Sequence, residues 1–304
     1  MAERLPARLY GPRYWPTWLA LGLLRLSALL PFGAQLVCGR WLGRLAWHLM
    51  RPQRGTVRRN LELCMPGLGA QDRERLARRH FESLGIGLFE TANAWWLPDE
   101  AMRRRGRLEG LEHLEAALGR GRGALLLGAH FTTTETAVRF LAMQLPLSVM
   151  YRPSSNALLA EFLRRNRSRR LRRAIPRDDI RTLVGALKGN ECVWYAPDQS
   201  YRKKGAQMAR LFGIPAATNV ATSRLARMTG AAVLPYFVER LPGTRSYRAV
   251  IHPALEDFPG DSPVADAERI NRGIEDCARR VPDQYLWVHR RFKSIEPGAA
   301  DPYA

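Results

Sequence analysis

Residues 123–135 read GALLLGAHFTTTE, and the reading of the whole chain turns on them. Ala124 to Leu127 is a short apolar run after a glycine-rich turn (Gly119, Gly121, Gly123), the pattern of a strand buried on both faces. Small residues follow, Gly128 and Ala129, and they place His130 at the strand's C-terminal mouth. Three threonines and Glu135 then lead into the helical run AVRFLAMQL. In an open α/β sheet, ligands bind in the crevice beyond the strand C-termini. A histidine there, with a carboxylate five residues on, is a candidate general base with its orienting partner.

The spacing leaves two readings open. On one continuous helix, positions five apart lie about 140° around the axis, so their side chains do not meet. His130 and Glu135 pair only if His130 sits in the loop and Glu135 in the first helical turn, with Thr132 as the N-cap. The same residues, Thr132 to Glu135, spell a capping box in which Glu135 serves only its own helix. His130 alone also reads as an ordinary hydrogen-bonded loop histidine.

Beyond this stretch the pattern is regular. Leu147 to Arg152, Cys192 to Ala196, Ala231 to Val238 and Arg248 to His252 read as strands. Asn156 to Arg165, Asp178 to Lys188, Ala217 to Met228 and Ala265 to Arg280 read as helices. Strands alternating with helices of ten or so residues imply an α/β fold with a mostly parallel central sheet flanked by helices. Upstream, Ala70 to Trp96 has amphipathic helical periodicity and Leu108 to Leu118 reads as a polar helix; His80 and His113 in them are expected to be structural.

The N-terminal segment differs. Arg4, Arg8 and Arg13 precede YWPTWLALGLLRLSALLPFGAQLVCGRWLGRLAWHLM, apolar and aromatic over more than thirty residues. No small-residue cleavage site follows it, and Arg25 and Pro31 interrupt the span that a bilayer requires. Interfacial helices with tryptophans at headgroup level fit the same residues, as does a helical hairpin packed on the domain. The expected organisation is a membrane-anchoring helical segment over residues 1–50 and a catalytic domain over 51–304.

Lys and Arg outnumber Asp and Glu by 48 to 28, a formal charge of +20. That excess favours polyanionic partners: nucleic acid, an anionic membrane, a phosphorylated substrate or an acidic carrier protein. A nucleic-acid role would not need the apolar N-terminus, and no aromatic residues interleave with the arginines as in a stacking platform. Cys38, Cys64, Cys192 and Cys277 are far apart, without zinc spacing, so neither a metal site nor a disulfide framework is expected. No P-loop, G-x-G-x-x-G or G-x-S-x-G motif is present, which disfavours nucleotide chemistry and a serine hydrolase.

If the sheet is parallel, its other strand mouths join His130 at one rim. They carry Arg152, then Asp198 and Gln199, with RRNRSRRLRR (164–173), seven arginines in ten residues, between them. The Arg run suits phosphate or carboxylate binding, or is a solvated helix face; Asp198 also reads as a plain turn residue. A His–carboxylate pair beside a cationic cluster suits attack by a deprotonated hydroxyl on an acyl or phosphoryl group.

His130-Phe131-Thr132-Thr133-Thr134-Glu135 matches the H-x4-D/E signature of glycerolipid-type acyltransferases. Further segments match in order: Arg58-Arg59-Asn60-Leu61 with Cys64-Met65-Pro66; Tyr151-Arg152-Pro153; Arg167 and Ile175-Pro176-Arg177-Asp178-Asp179; Val193 to Gln199; and Gln284 to Lys293. Together they resemble the late lipid A acyltransferases of Gram-negative bacteria, the lauroyl/myristoyl transferase type. The resemblance implies transfer of a lauroyl- or myristoyl-length chain from acyl-acyl carrier protein, without a cofactor. The acceptor it implies is a hydroxyl on an acyl chain of the Kdo-bearing lipid A precursor. It implies an inner-membrane enzyme with its site facing the cytoplasm, His130 as general base and Glu135 as the partner that orients it. Arg152, Arg167, Asp198 and Gln199 fall at supporting positions. Another lipid acceptor, such as a lysophospholipid, ornithine lipid or glycolipid, is the alternative. The chain departs from the family at Ser200, where an acidic residue is common, and over Met208 to Gly213. Backbone N–H groups of Thr132 to Thr134 are the expected oxyanion donors.

Overall fold

The N-terminal third is helical because its apolar residues recur at threes and fours. In the computed structural model, which describes residues 5–203, 205–243, 246–294, 298 and 300–304, it holds α1 (Trp15–Ser27), α2 (Phe32–Leu49), α3 (Arg51–Cys64), α4 (Ala70–Trp96) and the short α5 (Asp99–Arg103). The long α4 runs over the residues that its periodicity marks out. His80 is buried on it, donates from Nδ1 to the Asp283 carbonyl at 3.0 Å, and is drawn down to about 4 by burial; it is a core residue.

Helix α2 lies directly on α4 because three glycines let the backbones touch. A Cβ at Gly85 would stand 2.0 Å from the Gly39 carbonyl oxygen, and one at Gly43 would stand 2.1 Å from that of Phe81. Gln35 and Asn93 lock the same contact with a reciprocal amide pair at 2.6 and 3.2 Å. Pro31 ends the turn between α1 and α2. Their outer faces stay bare: Trp15, Leu19, Leu23 and Leu26 on α1 and Val37, Trp41, Leu45 and Leu49 on α2 are each more than half exposed. Among the described residues no helix is long and apolar enough to cross a membrane. The N-terminal segment is therefore a packed helical hairpin with an apolar outer stripe.

The remainder builds the sheet. In chain order come β1 (Gly106–Glu109), α6 (Leu111–Leu118), β2 (Ala124–Leu127), α7 (Thr134–Ala142), β3 (Leu147–Tyr151), α8 (Ala157–Ser168), β4 (Arg173–Pro176), α9 (Ile180–Lys188), β5 (Cys192–Tyr195), β6 (Ala206–Leu211), β7 (Ile214–Asn219), α10 (Ala221–Thr229), β8 (Ala232–Arg240), β9 (Tyr247–Ile251) and α11 (Pro263–Arg280). The seven-stranded order is β1-β9-β8-β2-β5-β3-β4, parallel except for the β8–β9 pair. Side chains alternate across β2, so Leu125 and Leu127 pack with α9, α10 and α11 on one face, while Leu126 packs with α6 and α7 on the other. Each fully buried leucine contributes roughly 1.5–3 kcal/mol. Asn156, Asp179 and Ser262 cap α8, α9 and α11 through their side chains, each worth about 1 kcal/mol.

The structure corrects the sequence reading at three places. Ala217 does not begin a helix: Ile214–Asn219 pairs with β6 as a hairpin, and α10 starts only at Ala221. Phe212 and Gly213 both take positive φ (54° and 76°) at its two-residue turn, the geometry that matches strand twist. Leu108 belongs to strand β1, with the helix confined to Leu111–Leu118. The end of the Arg run, Arg173, opens β4.

Candidate active site

The site follows from strand register. β2 and β5 pair in parallel with Leu127 opposite Tyr195. Both chains leave the sheet at the same edge, and three residues further each, His130 and Asp198 meet. Asp198 Oδ1 lies 2.6 Å from His130 Nδ1, and its Oδ2 accepts the His130 backbone N–H at 2.9 Å. Gly128 is required just before: a Cβ there would stand 2.6 Å from the Trp194 indole.

The electrostatics reinforce the pair. Burial acts to lower the His130 pKa, but the charge of Asp198 and the hydrogen bond to it outweigh this and raise it above 6.5. Burial acts to raise that of Asp198, yet His130, with Arg291 behind, holds it below 3.8. With Nδ1 bound to Asp198, Nε2 is the nitrogen left for a substrate proton.

Glu135 is not the residue that orients His130. It sits in the first turn of α7, where its Oε2 accepts the Trp95 indole N–H at 2.9 Å and its Oε1 faces Arg167 Nη2 at 3.6 Å. Nor does it form the capping box: Thr133 is the N-cap, without a side-chain cap bond, and Thr134 instead folds back on Phe131. The physical reason is that α4 brings Trp95 to this turn. Two of the three expected oxyanion donors are also occupied. Thr132 N–H goes to the Gln284 carbonyl (2.8 Å) and Thr134 N–H to that of Phe131 (3.1 Å).

The Arg run does not form one patch. Arg164 and Arg165 bind Glu161, Arg172 and Arg173 approach Glu191, and Arg170 donates to the Ala94 and Trp95 carbonyls. Arg167 and Arg170 both line the cavity beside His130, and Arg167 sets its guanidinium 4.6 Å over the Tyr151 ring. Its buried Nη1 has no hydrogen-bond partner among the described residues.

Two cavities meet at His130 and share Arg152, Gln199 and Trp194. One, about 410 Å³, lies between α7, α8 and the end of α4, with Glu135, Val138, Leu163 and Arg167 in its wall. The other, about 570 Å³, opens toward α9 and α10 past Arg177, Lys203, Arg224 and Met228. Thus His130, Glu135, Arg152, Arg167, Asp198 and Gln199 all reach one locale. Among the described residues no cluster of three or more His, Cys, Asp or Glu is placed to hold a metal.

Sequence reasoning gave no role to two groups here. Trp95 fixes Glu135, and its Trp-Trp pair at the end of α4 was the available signal. The Gln284–Lys293 segment closes the back of the site: Leu286 N–H donates to the His130 carbonyl at 2.9 Å, and Phe131 bridges Tyr285. From the side, α4 braces the same loop. Ser83 Oγ lies 3.0 Å from Thr132 Oγ1 and also accepts from Arg240, whose other amine binds buried Glu90 at 2.8 Å.

A family model described as bacterial lipid A biosynthesis acyltransferase matches residues 3–294. The chain is similar to the lipid A biosynthesis lauroyltransferase of Escherichia coli (strain K12), 38% identical over 296 residues that cover 97% of each chain. It is similar to the palmitoleoyltransferase of that strain, 39% identical over 293 residues, 96% of this chain and 95% of the other. The myristoyltransferase of the same strain is 24% identical over 294 residues, covering 96% of this chain and 91% of the other.

Proposed function

Because the chain belongs to the bacterial lipid A biosynthesis acyltransferase family, we propose that it moves a fatty acyl chain from an acyl carrier protein thioester to a hydroxyl on an acyl chain of the Kdo-bearing lipid A precursor, with His130 as general base. His130 Nε2 takes the hydroxyl proton as the oxygen attacks the thioester carbonyl. The tetrahedral intermediate expels the thiolate, the C–S bond breaks, and the imidazolium returns the proton to sulfur. Asp198 stabilises the transient imidazolium. Arg167, steadied by Glu135 and Tyr151, supports the substrate or the oxyanion. A thioester is already activated, so the reaction needs no cofactor.

The observation that carries this reading is the doubly held His130 at the junction of two cavities, one for each substrate. The cavity beside α7 and α8 adjoins α1: Thr17 accepts from Asn156 at 2.8 Å, and Arg25 stacks on Trp96, which packs on Phe162. It takes the lipid acceptor. The other opens past exposed cations and takes the acidic carrier's arm. Residues 1–50 lay their apolar stripe in the inner membrane's cytoplasmic interface, and 51–304 form the catalytic domain.

Acyl transfer by wild type and His130→Ala in detergent tests the reading, with carrier protein loaded with several chain lengths and mass spectrometry of the lipid. One added acyl group, of lauroyl or myristoyl length, appears with wild type and is lost in the folded variant. Transfer only to a simpler lysolipid overturns the acceptor; full activity of His130→Ala overturns the mechanism.

A further inference from the structure

The Gln284–Lys293 segment brings a second cation to the buried pair. Arg291 is almost wholly buried, and β7 fixes it: Nη1 donates to the Ala217 carbonyl at 2.6 Å and Nη2 to Thr218 Oγ1 at 2.8 Å. Neither partner is a carboxylate. Its Nε–H has no partner among the described residues. Arg291, Asp198, His130, Tyr285 and His289 together line a cavity of about 10 Å³, the size of one water.

The groups facing Asp198 are His130, Tyr195, Tyr285, His289 and Arg291. Burial keeps the two tyrosines neutral by raising them, and it keeps His289 neutral by lowering it. His289 also accepts the Ser200 N–H on Nε2 at 3.0 Å, as a neutral ring does. Burial draws Arg291 down from the usual guanidinium range while Asp198 acts against that; a guanidinium stays protonated. When His130 is neutral, Arg291 is, among the described residues, the cation left facing this buried carboxylate.

We propose that Arg291 is the positioning residue of the pair: its fixed charge holds the shared proton on His130 Nδ1 and leaves Nε2 free to act as the base. This rests on His130 being the general base. Without the cation, a neutral pair in a desolvated site favours a protonated Asp198 that donates to Nδ1. The ring then carries its proton on Nε2 and accepts none there. That state holds one proton more than the base-competent pair, taken up from solvent, so without the cation the free Nε2 is reached only at higher pH. In this proposal Arg291 acts through Asp198.

The test compares wild type, Arg291→Gln and Arg291→Lys in the acyl-transfer assay across a pH series. Arg291→Gln keeps polar reach but loses the charge; its kcat/KM falls about tenfold or more at neutral pH. Its acid-limb midpoint moves up by about one pH unit, because a lost cation favours protonation of the pair. Arg291→Lys returns the midpoint toward wild type even where its rate is lower. Equal losses in both variants with an unmoved midpoint would show a packing role and overturn the proposal. If Arg291→Gln does not fold, Asp198→Asn is added to it. Recovery of folding then marks an uncompensated carboxylate as the fault, and no recovery overturns the proposal. An inactive His130→Ala beside an unshifted Arg291→Gln would sink the role of Arg291 alone.

Discussion

The carboxylate of Asp198 holds His130 at two points, Nδ1 at 2.6 Å and the backbone N–H at 2.9 Å. One grip sets the tautomer and the other the position of the loop. Asp198→Asn presents a neutral amide to Nδ1 and withdraws the charge that stabilises an imidazolium. Steady-state acyl transfer is expected to fall by roughly 10³- to 10⁴-fold. Adding His130→Ala to that variant costs little more, since the two act as one unit. Thermal melting of the variants separates this from unfolding.

The raised pKa of His130 fixes the sign of the pH dependence. The base must be neutral, so kcat/KM rises with pH through a midpoint above 6.5. Stability runs the other way. The His130 contribution is full below 6.5 and is lost as pH climbs through the raised value. The Asp198 contribution is present above 3.8 and is lost as pH falls through the lowered value. The melting-temperature difference between wild type and Asp198→Asn is therefore greatest between those limits and shrinks where activity climbs. A difference that grows above neutral pH would refute the ion pair.

Glu135 acts on Arg167 and not on His130, which a double-mutant cycle can show. Arg167→Ala is expected to lower kcat/KM by about 10²-fold, the scale of a lost charge-stabilising donor. Glu135→Ala frees Arg167 and is costly as well, but adds little once Arg167 is gone. Its acid limb stays where wild type has it. Coupling of Glu135 to His130 instead, with a shifted limb, would contradict the geometry.

How far the site was legible follows from what is local. His130 at a strand mouth is encoded in consecutive residues, as is the apolar run of β2, and both emerged from pattern alone. Asp198 reaches His130 only because Leu127 and Tyr195 stand in register. Sequence placed both at one rim but could not state that register, so the nearer carboxylate, Glu135, drew the role. Helix α4 was legible over its length because apolar residues such as Leu76, Phe81 and Leu84 recur on it at helical spacing, even though His80, Ser83, Glu90 and Asn93 share its buried face. The hairpin of β6 and β7 was not, since Ala216, Ala217 and Thr218 suit a helix as well. What decides there is the Phe212-Gly213 turn and α11, whose Glu268 and Glu275 take the N–H groups of Arg210 and Phe212 at 3.0 and 2.6 Å.

Contact of α2 with α4 depends on bare backbone. At Gly85 an added methyl group would meet the Gly39 carbonyl oxygen and the Gly43 nitrogen, at 2.0 and 2.6 Å. Gly85→Ala is expected to destabilise the protein by about 1–3 kcal/mol, the cost of forcing atoms into a packed interface. Urea unfolding measures it. Gly55→Ala, with nothing within 4 Å, is the control and is expected to be neutral or slightly stabilising because helix propensity improves.

The apolar stripe on α1 and α2 makes a separate prediction about lipid. Leu19, Leu23, Trp41 and Leu45 are each more than half exposed and none lies in the core. Replacing all four with serine removes surface that packs on nothing within the chain, so each change costs at most about 0.5 kcal/mol of stability. Buried in a bilayer interface, such side chains contribute roughly 1.5–3 kcal/mol each. The quadruple variant should therefore bind anionic vesicles at least about a thousandfold more weakly, while melting close to wild type and still acylating a detergent-dispersed acceptor. Cosedimentation with vesicles reads the first effect, and mass spectrometry of the lipid reads the last. Undiminished vesicle binding would place the membrane contact elsewhere on this basic protein, and salt sensitivity of that binding would identify it as the work of arginines.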